Sequence, residues 1–185
     1  MARFHLVHPD DASEEVRAVY ADIQREFGRV PTFFKSMALN PSILRGTWEK
    51  IRGTLLEGQV PRTVKEMIIV AVSSANNCLY CQEMHSALLG AMGINGDTLA
   101  ALMQDLTAVE LPTRIKLAIG FGVRAATDPA GLSNEDFEHL AQAGFSQAEI
   151  LELVAVADLA ASLNTYADAL ALPADEFAGT GNNTR

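Results

Sequence analysis

Apolar positions recur along this chain at the spacing of amphipathic helices, and no stretch alternates apolar and polar residues in the manner of a strand. The pattern predicts an all-α protein. Helices are expected near residues 12 to 27, 32 to 39, 41 to 57, 61 to 75, 78 to 92, 96 to 105, 112 to 127, 133 to 143 and 147 to 171. Pro41, Pro61 and Pro112 fall where a first helical turn tolerates a residue without an N–H. Ser133-x-x-Asp136 and Ser146-x-x-Glu149 have capping-box spacing, and Gly93 and Gly144 suit the left-handed position after a helix. The elements group as a single domain with an N-terminal arm at 1–11, a helical core at 12–172 and a tail at 173–185. The polar end Gly179 to Arg185 is expected to fray.

A shift of 51 residues lays the chain on itself without gaps. Pro61, Lys65, Val72, Ala75, Leu89, Gly93 and Leu102 meet Pro112, Lys116, Val123, Ala126, Leu140, Gly144 and Leu153. The helix-starting proline and the helix-ending glycine agree in register, so the middle of the chain reads as two related helical hairpins. At four positions the copies disagree in kind: Glu66, Cys78, Cys81 and His85 face Leu117, Pro129, Leu132 and Asp136. Packing accounts for the shared apolar positions. The unshared polar ones need another explanation.

Composition narrows the class further. A chain of 185 residues with 49% hydrophobic and 20% charged side chains is large enough to bury a core and is not a disordered chain. A formal charge of −9 argues against nucleic acid and anionic membrane as partners. The apolar stretches Met67 to Val72 and Leu151 to Ala161 are short or interrupted by acids, so no membrane span is expected. The N-terminus lacks a signal peptide's apolar stretch, which makes the cytoplasm the expected compartment. There, a pair of cysteines is more often catalytic than structural.

Those two cysteines fall in the segment from Glu66 to His85. Cys81 and His85 are four residues apart, which on a helix puts both side chains on one face about a turn from each other. Ala75-Asn76-Asn77 reads as the turn between two helices, so Cys78 and Cys81 would sit in a first helical turn. Partial positive charge there favours thiolate over thiol, and the adjacent imidazole can take up the proton. A thiolate attacks peroxides or disulfides, and a second cysteine turns the resulting sulfenic acid into a disulfide. If the chain reverses near Asn77, Glu66 lies roughly 16 Å before the turn and His85 roughly 12 Å after it. An antiparallel hairpin would bring the two nearly level, with the carboxylate or one bridging water closing the gap.

Each residue also has a plainer reading. A Cys-X-X-Cys pair occurs in zinc sites, but those usually need a second ligand pair, and no other cysteine exists here. No metal is expected. Glu66 follows Thr63 at capping-box spacing and could serve only a helix start. His85 alone reads as structural and Tyr80 as a packed aromatic. His5, His8 and His139 read as surface residues. Trp48, Phe33 and Phe34 could line a pocket, but aromatic residues at helical spacing more often fill cores or interfaces, and they are left out of the site.

Together, Glu66, Cys78, Tyr80, Cys81 and His85 resemble the signature of AhpD-like alkylhydroperoxidases in the carboxymuconolactone decarboxylase superfamily. The similarity is best over residues 30 to 105, and the Val30-Pro31 entry and Leu163-Asn164 resemble the peroxidase-related branch. The resemblance implies an AhpD-like helical bundle with Cys81 as peroxidatic cysteine, Cys78 as resolving cysteine, His85 as acid/base partner and Glu66 as the far end of a proton relay. Tyr80 departs from the best-studied members, which carry a second histidine there. The expected function is thiol-dependent reduction of a hydroperoxide, with an external dithiol or thiol protein as reductant and no organic cofactor. Relatives assemble as dimers, trimers or hexamers, so a homo-oligomer is expected. Decarboxylase members typically lack the cysteine pair. The alternatives are a decarboxylase-like acid/base enzyme using Glu66 and His85, and a non-enzymatic helical oligomer whose cysteines sense redox state or clip a metal.

Overall fold

The computed structural model describes residues 2–175; the expected fraying of Gly179 to Arg185 falls outside them. Among the described residues nine α-helices follow in chain order: α1 (Glu14–Phe27), α2 (Thr32–Met37), α3 (Pro41–Ile51), α4 (Arg62–Ala75), α5 (Leu79–Ala91), α6 (Gly96–Gln104), α7 (Thr113–Thr127), α8 (Asn134–Gln142) and α9 (Gln147–Leu170). Short 3₁₀ turns stand at Pro9–Asp11 and Pro129–Gly131, and a π-helical turn at Arg52–Leu56 continues α3. No strand occurs among the described residues, as the helical periodicity predicts. The arm is tied down rather than free. The Arg3 and Val7 N–H groups donate to the carbonyls of Leu170 and Lys35, and the Tyr20 hydroxyl donates to the Val7 carbonyl at 2.9 Å.

The helix ends have the expected causes with small shifts in register. Ser133 and Ser146 form capping boxes with Asp136 and Glu149. Pro41 occupies the first position of α3, whereas Pro61 and Pro112 stand one residue earlier, as the caps of α4 and α7. Their backbone angles nearly coincide, φ −55° and ψ 137° for Pro61 against φ −52° and ψ 141° for Pro112. Gly93 and Gly144 match as well, at φ +90° and +87°. The repeat is thus visible in the backbone.

α4 is the central rod. Every residue from Val64 to Ser73 is buried, so the helix has no solvent face, and it packs on α5, α7 and α9. Its contact with α7 is close: a Cβ on Gly122 would come within 2.6 Å of Ile68 Cγ2. Lys65 is 1% exposed, an unusual place for an ammonium, and is satisfied by the carbonyls of Thr54 and Glu57 and by Glu152 at 2.9 Å. It thereby fastens the π-helical turn to α4 and α9.

α9 is the most apolar long helix among the described residues. It is long and apolar enough, by length and composition, to cross a membrane, although no unbroken apolar run is present. Half of that apolar window is buried, and the helix packs against α4 and α7. Its hydropathy is explained by the bundle core.

Candidate active site

α4 ends in a Schellman motif that positions the cysteines. Asn77 takes the left-handed conformation at φ +58°, its N–H bonds to the Ser74 carbonyl, and the Cys78 N–H bonds to the Ser73 carbonyl at 2.9 Å. Asparagine is among the few residues with a side chain that tolerate this conformation. The chain then re-enters a helix at once. Cys78 is the N-cap of α5 and Cys81 stands three residues in, where unpaired N–H groups gather positive potential.

Both cysteines are free thiols, Cys78 fully buried and Cys81 2% exposed. Their proton affinities diverge. Cys81 is held below the ordinary thiol range, first by a hydrogen bond from Cys78, which outweighs burial; the charge of His85 and a hydrogen bond from Asn164 act in the same direction, and the charge of Asp168 opposes them. Cys78 is pushed up by its hydrogen bond to Cys81, then by burial and by the Cys81 charge. The same hydrogen bond thus favours the thiolate at Cys81 and the thiol at Cys78.

His85 lies one turn beyond Cys81 on α5, and its Nδ1 is 2.6 Å from Glu66 Oε2. No bridging water is needed. Burial disfavours the imidazolium, but the charge and hydrogen bond of Glu66, with the charge of Cys81, outweigh it and raise the His85 pKa; Arg62 opposes them. Glu66 is fully buried, and its other oxygen, Oε1, is 3.4 Å from Arg62 Nε. Arg62 in turn holds Glu26 at 2.8 Å and covers the Phe27 ring at 5.8 Å. The capping-box reading of Glu66 does not hold. Pro61 is the cap of α4, which puts Glu66 a full turn inside the helix with its carboxylate committed to His85 and Arg62.

Cys81, His85 and Tyr80 line one cavity of about 220 Å³, whose walls are otherwise almost wholly apolar. Phe33 and Phe34 belong to that wall, contrary to their exclusion at the sequence level. Trp48 stands behind it, edge-on to Phe34 at 5.8 Å between ring centres and to Phe27 at 5.9 Å. Tyr80 joins the cavity but bonds elsewhere. Its hydroxyl donates to Asp175 Oδ2 at 2.6 Å and accepts from the Phe33 N–H at 3.2 Å, rather than meeting His85 or Glu66. His5, His8 and His139 are on the surface as expected, His139 beside Glu135 at 3.6 Å.

Sequence reasoning gave no place in the site to four contributors, although Asn164 entered the family resemblance. Arg62 carried a signal, being four residues before Glu66 at the spacing of a helical ion pair. Asn164 is a buried amide within an apolar stretch of α9; it donates to Ser73 Oγ at 2.9 Å and accepts from Asn76 at 2.9 Å. Ser73 and Asp175 had no local signal. Among the described residues no group of three or more His, Cys, Asp or Glu side chains is arranged to hold a metal ion.

The helical bundle thus brings one sulfur of a Cys-X-X-Cys turn and the imidazole of a buried Glu–His pair to one apolar cavity. The carboxymuconolactone decarboxylase family model matches residues 44–121. An alkyl hydroperoxide reductase from Mycobacterium tuberculosis is 39% identical over 97 residues, 52% of this chain and 28% of that protein. The chain thus spans little more than a quarter of that curated relative. Among solved structures, an AhpD-core peroxidase-related protein from Ralstonia eutropha superimposes with a TM-score of 0.87 at 22% identity, covering 95% of this chain and 93% of that one. The debrominase Bmp8, solved with 2,3,4-tribromopyrrole, gives 0.80 at 21% identity, covering 95% and 94%. At these identities the structural likenesses carry the fold. Residues 44–121 are thus similar to the carboxymuconolactone decarboxylase family, and the chain as a whole has the fold of the AhpD core.

Proposed function

We propose that this protein is an alkylhydroperoxidase-like thiol peroxidase. The observation that carries the reading is that the low-pKa sulfur of Cys81 and the Glu66-bound imidazole of His85 open onto the same apolar cavity, with Cys78 beside them.

In the proposed cycle His85 accepts the Cys81 proton, and Glu66 stabilises the resulting imidazolium and fixes the ring through Nδ1. The Cys81 thiolate attacks the terminal oxygen of a hydroperoxide, the O–O bond breaks, and His85 returns its proton to the departing alkoxide. The products are an alcohol and Cys81 sulfenic acid. The Cys78 sulfur then attacks Cys81, the S–O bond breaks, and the Cys78 proton leaves with hydroxide as water, forming the disulfide. An external dithiol reduces it, returning two thiols and becoming a disulfide itself. The nearly apolar wall fits an organic hydroperoxide.

Cys81→Ser should abolish turnover of organic hydroperoxide, a loss of about 10⁴-fold or more. Dilute peroxide added to the wild-type protein should consume both thiols, and mass analysis should find Cys78 linked to Cys81. Thiols that remain free after that treatment would sink the reading.

A second reading rests on the Glu66–His85 pair, which is complete without either sulfur. In it a decarboxylase-like acid/base reaction runs in the same cavity and Cys81→Ser keeps its activity.

A further inference from the structure

α2 begins at Thr32 with Pro31 as its cap, and proline has no side-chain acceptor to offer the first N–H groups of a helix. They are satisfied from far along the chain. Asp175 Oδ1 accepts from the Thr32 N–H at 2.9 Å and from the Thr32 hydroxyl at 3.0 Å, across 143 residues of sequence. The next N–H, of Phe33, donates to the Tyr80 hydroxyl, which in turn donates to Asp175 Oδ2. Both carboxylate oxygens and the phenol are therefore committed to the start of α2. That short helix carries Phe33 and Phe34 into the cavity, and Tyr80 lies between the two cysteines.

We infer that Asp175 is a positioning residue for the apolar ligand: with Tyr80 it caps α2 and so holds Phe33 and Phe34 in the wall that Cys81 and His85 face. The segment following α9 is then part of the binding site, although Asp175 itself does not line the cavity. A proton committed to Asp175 also leaves Tyr80 as a wall element. The inference rests on the proposed peroxidase reading only for the identity of the ligand, an organic hydroperoxide and its alcohol product.

Binding of cumyl alcohol can be followed through Trp48, the chain's single tryptophan, which touches Phe34. Asp175→Ala should weaken that binding about tenfold, the scale set by losing hydrogen bonds to a charged group. Asp175→Asn keeps an acceptor for Thr32 and loses the one for Tyr80, so it should fall between; it also carries the test if the alanine variant does not fold. Combining Tyr80→Phe with Asp175→Ala should weaken binding no further than Asp175→Ala alone, within about twofold. In single-turnover oxidation, Asp175→Ala should raise the apparent KM for cumene hydroperoxide about tenfold with a smaller change in the limiting rate, and should slow hydrogen peroxide less than cumene hydroperoxide.

Equal slowing with both peroxides would mark a merely structural residue and overturn the inference. So would unchanged alcohol binding in Asp175→Ala, additive losses in the double variant, or a wild-type protein that does not bind the alcohol. If the wild-type thiols resist peroxide while the alcohol binds in an Asp175-dependent way, the peroxidase reading fails and the positioning role stands.

Discussion

The hairpin of α4 and α5 and its counterpart of α7 and α8 share a scaffold and differ in what it carries. Their starting prolines and the glycines that end them adopt nearly the same backbone angles. Yet where α4 and α5 bring Glu66, Cys81 and His85 together, α7, Leu132 and α8 offer Leu117, Leu132 and Asp136. Asp136 is half-buried in the first turn of α8, closing a capping box with Ser133 and pairing with Arg124. The connection differs too: a left-handed Asn77 and an N-capping cysteine in the first copy, a 3₁₀ turn at Pro129–Gly131 in the second. Positions where the copies agree build the bundle, and positions where they part hold the candidate site's polar residues in one copy and ordinary helix-making residues in the other.

The sharpest way to break that contrast is to give the first copy the second copy's residue. Glu66→Leu should still fold, since leucine is what α7 carries there, but single-turnover oxidation of Cys81 should slow by about 10²-fold or more through loss of the base's partner. A rate equal to wild type would remove Glu66 from the mechanism. The isosteric Glu66→Gln, compared with wild type across pH, sharpens the same point through stability.

The sign of that pH effect follows from His85, whose folded-state pKa is raised above its unfolded value. The stabilisation from its protonation is fully present below the unfolded pKa of about 6.5 and is lost as pH rises through the folded value. The gap in urea midpoint between wild type and Glu66→Gln should therefore be widest near pH 6 and narrow at alkaline pH. A gap that widens with rising pH would contradict the pairing.

Packing between the copies supplies the next test. Gly122 aligns with Ala71 under the 51-residue shift, but a methyl group at Gly122 would run into Ile68. Gly122→Ala should cost about 1–3 kcal/mol, read as a fall in Tm, because the central rod cannot move away from a closely packed neighbour. The smallest effect should come from Asp136→Ala. It removes a cap and an ion pair, so Tm should fall slightly and hydroperoxide turnover should not change.

Much of this was legible in the chain. The helix boundaries lay within a few residues of their observed ends because caps, prolines and left-handed residues act locally. Glu66, Cys78, Cys81 and His85 were also readable, since helical rise and one turn at Asn77 are enough to bring the carboxylate opposite the imidazole. Arg62 lay within reach of the same reasoning. Asp175 did not: its partners Thr32 and Tyr80 are 143 and 95 residues away, and no periodicity links such positions. Phe33 and Phe34 were misjudged for a related reason. An aromatic residue at helical spacing looks the same whether its neighbour is a packed core or the wall of a cavity.

By itself, then, the sequence determined the helices, the duplicated hairpin and the four polar residues that set one copy apart, all through forces acting within a turn or two of backbone. Only the tertiary structure decided where the Tyr80 hydroxyl points, which aromatic rings line the cavity beside Cys81, and that a carboxylate after α9 caps α2. Those outcomes depend on how separate helices pack, and packing joins surfaces with no fixed distance between them along the chain.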